Sequence, residues 1–306
     1  MAPMFSMGMW GAALAGALLA ATPASAGGAD GPLVVAHRGG AALMPENTFP
    51  AFDHAVRLGA DVLEFDLGLS ADDKLIVTHD SSVNGTFCTA DPGSGVMPAP
   101  VHSLTLAQLQ RFDCGAKHRA LYPNQRAVPG TRMPTFDRLL ARYKNSKALL
   151  FGEIKMPDAG EGDVDPLLFA RLVEAEVRRY RLEDRFILQS ADWRTIDAMH
   201  ALNPRIRTCL LYVWRAKGDP LDIARQHHAT CMLLRMQDAD AAEVARLRAA
   251  GVMVVSEVID DPKDWEAYRA RGDDALFTND PAGLMKALDS DRERPSLSSG
   301  MSPPRH

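Results

Sequence analysis

The sequence predicts an α/β fold, a (β/α)8 barrel distorted by an insertion after its second barrel strand. Two observations predict it. Short apolar runs rich in β-branched residues recur eight times, and each is followed, sooner or later, by a stretch with apolar residues at helical spacing. Strands that alternate with helices must run parallel, and eight such units in about 250 residues is the size of this barrel. A doubly wound open sheet is the alternative, because periodicity does not report closure. No GxGxxG follows the first run, which weakens the dinucleotide-binding form of that alternative.

In order, the strand runs are Leu33 to His37, Asp61 to Asp66, Leu149 to Ile154, Phe186 to Ser190, Ile206 to Tyr212, Cys231 to Arg235, Val252 to Ser256 and Ala275 to Thr278. Helical spacing covers residues 166–180, 192–202, 238–251 and 280–290. One interval breaks the rhythm. Only "SADD" separates "DVLEFDLGL" from "KLIVTHD", far too few residues for a parallel crossover. These two runs are expected to form an antiparallel hairpin whose turn, centred on residues 70–73, sets Glu64 opposite His79. Residues 80–134 carry much Gly, Pro and Asn and little periodicity outside 103–112. They read as an insertion or lid over the C-terminal face of the barrel, where this architecture carries its active sites.

With 306 residues, 46% of them hydrophobic and 24% charged, the chain is large enough for one sizeable globular domain, here residues 27–288. A net charge of -5 and the lack of a Lys/Arg-rich run give no general attraction to nucleic acid or anionic lipid, so the expected partner is a small molecule. Residues 11–22 form an apolar run too short to span a bilayer, and Ala24-Ser25-Ala26 reads as a small-residue cleavage site. Residues 1–26 are therefore expected to be a secretory signal and the protein to be periplasmic or secreted, although no Lys or Arg precedes the apolar run. No Cys follows that run, so no lipid anchor is expected. Residues 289–306, polar and rich in Pro and Ser, read as a disordered tail. The four cysteines form no CxxC pair, which argues against zinc. Cys88 and Cys114 flank a Gly/Pro-rich segment and are candidates for a disulfide in an oxidising compartment, whereas Cys209 and Cys231, in apolar runs, read as buried small hydrophobes.

The chemistry gathers at strand ends. In a βα barrel the last residue of a strand points into the site, which is where His37 and Arg38 stand. Gly39 and Gly40 follow, allowing the close backbone approach that an anion needs, and Arg38 offers a fork of donors suited to phosphate. Glu64 and Asp66 leave one face of their strand about 7 Å apart along it. Glu153 and Lys155 repeat the device on the next barrel strand. Carboxylates that share a cavity repel unless a cation lies between them, and an all-oxygen set suits one hard divalent ion, Ca²⁺ or Mg²⁺. Arg38, Lys155 and that ion would neutralise a phosphodiester, with His37 and His79 as general base and acid.

These residues lie in a stretch, "VVAHRGGAALMPENTFPAFDHAVRLGADVLEFDLGLSADDKLIVTHD" at 34–80, that resembles the signature of the glycerophosphodiester phosphodiesterase family, which also includes the sphingomyelinase D-like toxins. The matching pieces are HRG at 37–39, PENT at 45–48, GAD before ExD at 59–66 and HD at 79–80, followed in order by "MPTFDRLL", "EIK" and "LFTNDP". The resemblance implies a distorted (β/α)8 barrel, a metal at Glu64, Asp66 and Glu153, acid/base roles for His37 and His79, and phosphate contacts from Arg38 and Lys155. It implies hydrolysis of glycerophosphodiesters to glycerol 3-phosphate and an alcohol, with a cyclic phosphate as a proposed course in parts of the family. Lysophospholipase D-like and cyclising activities are nearby alternatives, and a phosphatidylinositol-specific phospholipase C-like reaction is a distant third. A non-catalytic phosphate-binding barrel is the alternative of another class, and the pair of histidines argues against it.

The second half departs from the family pattern. "VVSEVIDD" stands where a Trp-Thr-Val-Asn-like strand end is common, and Gln189 stands where an apolar residue is usual. Substrate choice is what these changes affect: Glu257 is a candidate contact for a cationic head group, and Trp214 a candidate aromatic wall, though a packing role suits Trp214 better. Asp80 starts a loop, where an Asp more often caps backbone amides than orients a histidine. Glu46 and Asn47 read as shaping the first loop and helix start. His54, His102, His118, His200, His227 and His228 have no partner pattern and read as surface or packing residues.

Overall fold

The fold is taken from a computed structural model, which describes residues 31–157, 163–211 and 213–292, the side chains of Trp214, Asp291 and Arg292 excepted. The expected signal segment, Tyr212 and the chain beyond Arg292 lie outside the described residues. Along the chain the strands are β1 (Leu33–Ala36), β2 (Val62–Leu69), β3 (Leu75–Val77), β4 (Thr89–Ala90), β5 (Phe112–Asp113), β6 (Leu149–Ile154), β7 (Phe186–Ser190), β8 (Arg207–Leu210), β9 (Cys231–Leu233), β10 (Met253–Val258) and β11 (Ala275–Thr278). The helices are α1 (Phe49–Leu58), α2 (Leu106–Leu109), α3 (Phe136–Tyr143), α4 (Pro166–Tyr180), α5 (Trp193–Leu202), α6 (Pro220–Gln226), α7 (Ala241–Ala249), α8 (Pro262–Arg271) and α9 (Pro281–Arg292). α9 takes up residues 289–292, the first four of the expected tail.

Eight parallel strands run β1-β11-β10-β9-β8-β7-β6-β2, and β2 pairs back onto β1, Val35 with Val62 and Ala36 with Leu63. That last pairing closes the ring into a (β/α)8 barrel and excludes the open sheet. A strand buried on both faces has no need to alternate, which is why "VLEFDLGL" of β2 is buried throughout. The inward residues of the lower barrel, Val35, Val62, Phe151, Ile187, Cys209, Cys231, Val255 and Phe277 among them, pack together into an apolar plug. A larger cluster under the helices packs their apolar faces on the outside of the sheet. Polar groups are therefore confined to the layer above the plug, where Asp66 stands beside Glu153 and Glu153 beside Gln189 in register.

The helix starts follow ordinary capping chemistry. Thr48, Thr135, Asp165, Asp192, Asp219, Asp240 and Asp261 each accept a hydrogen bond from a first-turn N–H of the helix that follows.

Two expectations are corrected here. The hairpin exists, but its register is displaced by one residue: Leu67 pairs with Val77, Gly68 with Ile76 and Leu69 with Leu75. Ser70 N–H donates to the Lys74 carbonyl at 3.0 Å, so the loop is three residues long and ends with Asp73 in the left-handed region at φ 54°. Glu64 is thus not the cross-strand partner of His79. The other correction concerns Cys209 and Cys231. They are register partners on β8 and β9, and form a disulfide inside the barrel rather than standing as free thiols.

Cys88 and Cys114 are also bonded, and they flank the two-stranded antiparallel pair of β4 and β5. Around that staple the insertion has its own small core, in which Val83, Val101, Leu104, Leu109, Phe112 and Met133 pack with Ile76 of β3. Among the described residues, no helix is long and apolar enough to cross a membrane.

Candidate active site

β1 ends in a single 3-10 turn, His37–Gly39, in which Arg38 adopts the left-handed conformation (φ 52°, ψ 30°) and Gly39 follows at φ 82°. A non-glycine residue there is held against its preference. A Cβ on Gly39 would lie 2.8 Å from the Ala51 Cβ of α1, so this glycine is required by the close approach of that helix. The space beside the pair is filled by the protein itself: Gly39 faces Ala51 and Phe52, and Gly40 faces Pro281.

The turn directs His37 and Arg38 into a cavity of about 310 Å³, lined also by Glu64, His79, Glu153, Lys155, Gln189, Arg235, Glu257 and Phe277. All seven residues singled out from the sequence meet here except Asp66, which lies directly behind, buried at 1% exposure. A second cavity of about 840 Å³ opens over β6 to β8 and shares His79, Glu153 and Lys155 with the first. Its outer wall is made by Met156, Trp193, Arg194, Arg215 and Ala216.

Glu64, Asp66 and Glu153 bring one carboxylate oxygen each within 4.8 Å of one another, and all three are buried. Burial, then the neighbouring Asp66, holds the Glu64 carboxyl well above the usual carboxylate range, and burial also raises that of Glu153. Burial works against ionised Asp66 too, but Lys155 and Arg38 hold its carboxyl below that range. Lys155 Nζ stands 2.7 Å from Glu153 Oε1 and 3.5 Å from Asp66 Oδ1; burial opposes its charge, and the carboxylates raise it nonetheless. Asp66 Oδ1 is buried with no hydrogen-bond partner. Converging carboxylates with an unsatisfied oxygen between them fit a hard divalent cation.

The two histidines have different backing. The carboxylate of Asp260 can only accept, so Asn279 turns its amide N–H₂ toward Asp260 Oδ2 (2.8 Å) and its Oδ1 toward His37 Nδ1 (2.7 Å). His37 Nδ1 therefore carries the proton, leaving Nε2 as its acceptor. Burial, then Arg38, lowers the His37 pKa to about 4. His79 Nδ1 donates to Asp80 Oδ1 at 2.7 Å, and Asp80 Oδ2 takes the Asn84 side chain at 2.6 Å. The bond from His79 lowers the Asp80 pKa. Of the two readings of Asp80, the structure shows the less common one: its carboxylate orients His79.

Several contacts had no signal in the sequence. Asn47 does more than shape its loop: its Nδ2 donates to Asp66 Oδ2 at 2.8 Å, and its Oδ1 accepts the Asp66 N–H at 3.2 Å. Glu46 accepts from Arg38 Nη1 at 2.9 Å and from Arg119 of the insertion. Gln189 donates to Glu64 Oε1 at 2.8 Å, while the Arg38 backbone N–H donates to Glu64 Oε2 at 2.8 Å. Glu257 lines the first cavity, but its Oε1 already accepts the Tyr268 hydroxyl at 2.6 Å. The remaining histidines are elsewhere: His227 pairs with Asp197 at 2.8 Å and packs on Trp193, and His200 stacks on His228. The side chain of Trp214 lies outside the described residues.

Comparison with known proteins adds the family. Residues 37–283 match the Glycerophosphoryl diester phosphodiesterase family. The chain is 27% identical over 255 residues to the glycerophosphodiester phosphodiesterase of Bacillus subtilis (strain 168), covering 81% of this chain and 84% of that protein. Among solved structures, one from Silicibacter pomeroyi assigned to the same class superposes with a TM-score of 0.79 at 24% identity, covering 87% of this chain and 95% of that one. A phosphodiesterase of Oleispira antarctica, solved with its product sn-glycerol-3-phosphate, superposes with a TM-score of 0.67 at 20% identity, covering 85% and 97%. Since the family match extends over nearly the whole barrel, from His37 of the first turn to Gly283 of α9, this chain belongs to the glycerophosphoryl diester phosphodiesterase family and is a phosphodiesterase.

Proposed function

We propose that the protein hydrolyses glycerophosphodiesters to glycerol 3-phosphate and an alcohol, with His37 as general base and His79 as general acid. The observation that carries this reading is the unequal backing of the two imidazoles. His37 is buried against a neutral amide oxygen and held in the tautomer that accepts on Nε2. His79 is oriented by the Asp80 carboxylate behind its Nδ1 and borders both cavities, where it can reach the leaving oxygen. The attacking oxygen gives its proton to His37 Nε2 as its bond to phosphorus forms, and the bond from phosphorus to the leaving oxygen breaks as that oxygen takes a proton from His79.

Arg38 and Lys155, both facing the cavity, bind the phosphate oxygens. Glu64, Asp66 and Glu153 would hold one divalent cation, Ca²⁺ or Mg²⁺, which when bound neutralises charge on the diester. Because His79, Glu153 and Lys155 border both cavities, the phosphate bridges them, with the glycerol side against His37 and Phe277 and the leaving group toward Trp193. The product held by the Oleispira antarctica protein supports the glycerol phosphate half of this reading.

The test is release of glycerol 3-phosphate from glycerophosphocholine, glycerophosphoethanolamine and glycerophosphoglycerol, with EDTA and with Ca²⁺ or Mg²⁺ restored. Turnover that stops with EDTA and returns with metal is expected. Turnover unaffected by EDTA overturns the metal assignment, and none with any diester overturns the substrate. A second reading, a lysophospholipase D-like activity, is favoured by the size of the 840 Å³ cavity and by Ile154, Met156, Trp193 and Ala216 on its wall. Choline release from lysophosphatidylcholine in the same assay distinguishes it.

A further inference from the structure

Arg38 is anchored on one side by Glu46, and Glu46 is held in turn by a residue of the insertion. We propose that Arg119, in the insertion, is a positioning residue: by taking half of the Glu46 carboxylate it keeps Arg38 available to the substrate phosphate. This inference rests on the phosphate-binding role of Arg38 proposed above.

Glu46 is buried, with 4% of its side chain exposed, and its two oxygens are divided between two guanidinium groups, Oε1 to Arg38 Nη1 at 2.9 Å and Oε2 to Arg119 Nη1. Buried carboxylates need a counter-charge. With Arg38 as its single partner, Glu46 would cancel the charge that Arg38 must present to an anion. Arg38 also faces Asp66, its Nε 3.3 Å from Asp66 Oδ2, so Arg119 on Glu46 supplies the second positive charge without which Arg38 alone would neutralise two carboxylates.

Arg119 is itself held in place. Its guanidinium lies over the rings of Phe87 and Tyr122, 5.2 and 5.9 Å from their centroids, and its backbone N–H donates to Gln125 Oε1 at 2.8 Å. Gln125 in turn donates to the carbonyls of Ala41 (2.7 Å) and Met44 (3.1 Å), and Arg126 N–H donates to that of Leu43 (2.9 Å). Residues 119–126 thereby grip the loop 41–47 that leads from the His37–Gly39 turn to α1. The same loop delivers Asn47 to Asp66. Phe87 is adjacent in sequence to Cys88, so the Cys88–Cys114 staple holds the ring on which Arg119 rests. The insertion thus reaches the phosphate site through a chain of direct contacts, Arg119 to Glu46 to Arg38.

The experiment is a cycle of Arg119→Met, Glu46→Gln and the double variant, each read by KM and kcat on glycerophosphocholine and by competitive inhibition with sn-glycerol 3-phosphate. Arg119→Met is expected to raise both KM and the inhibition constant about tenfold, the size of one charge-assisted hydrogen bond, with kcat changed less than about threefold. In the Glu46→Gln background the same change should have less than about a twofold effect, because the charge it neutralised is gone. Arg119→Lys should restore most of the loss. If Arg119→Met lowers kcat alone, or has the same effect in both backgrounds, Arg119 is only a structural residue and the proposal is overturned. Should Arg119→Met fail to fold, Arg119→Gln, which keeps a donor without the charge, takes its place in the cycle with the same outcomes expected. Arg38→Met separates the two levels. If it leaves inhibition by sn-glycerol 3-phosphate unchanged, the phosphate role of Arg38 falls and this inference with it; if it weakens inhibition while Arg119→Met does not, this inference alone fails.

Discussion

His37 and His79 face one cavity with the same side chain and different hydrogen-bond partners. The difference comes from the atom behind each Nδ1, an amide oxygen for His37 and a carboxylate for His79. Replacing either by Ala is expected to lower kcat by about 10²- to 10⁴-fold, the usual worth of one proton-transfer role. Unchanged turnover in both variants, measured as glycerol 3-phosphate release, would remove the acid/base assignment. Burial of His37 also predicts a stability profile. Its pKa falls from the ordinary 6.5 to about 4, so between those values the unfolded chain binds a proton that the folded one does not. Stability is therefore lost as pH falls through that window, by up to about 3 kcal/mol from this group. Urea unfolding in EDTA at pH 7 and pH 4.5 should show a larger loss for the wild type than for His37→Asn; equal losses would contradict the burial argument. Position in the sequence revealed His37 and His79 because both end apolar runs. Asn279 and Asp260, which set the tautomer of His37, were not legible, since their role exists only after the barrel brings β11 beside β1.

At the scale of elements, strand identity was readable and register was not. Each of the eight apolar runs became a barrel strand, because burial on both faces leaves an unmistakable continuous pattern. The hairpin shifted by one residue because a single φ, that of Asp73, made the loop three residues long. Cysteine pairing divided in the same way. Cys88 and Cys114 were readable from the Gly/Pro-rich chain between them, whereas Cys209 and Cys231 became partners only through the register of β8 on β9. The staple around β4 and β5 closes a loop of 26 residues, and its removal by Cys88→Ser with Cys114→Ser is expected to destabilise the insertion by about 3 kcal/mol. Hydrogen exchange should localise that loss to residues 80–134 and leave the barrel strands protected; a loss spread evenly over the molecule would contradict the separate core seen around Ile76 and Phe112.

For the molecule as a whole, we propose export, on the strength of Ala24-Ser25-Ala26 after an apolar run and of two disulfides in the described residues. Fractionation should find the chain outside the cytoplasm with Gly27 as its first residue. A full-length cytoplasmic chain would overturn this.

The sequence by itself determined the class of fold, the strand ends that carry His37, Glu64, Asp66 and Glu153, and the resemblance that named the chemistry, because these depend on residue type and local order. Tertiary structure alone decided the rest. Closure of β1 on β2 made a ring of strand ends converge on one cavity, so that Gln189 reaches Glu64 across 125 residues and Arg119 reaches Glu46 across 73. Such contacts depend on the through-space arrangement of a closed barrel, and no pattern of neighbours along the chain encodes them.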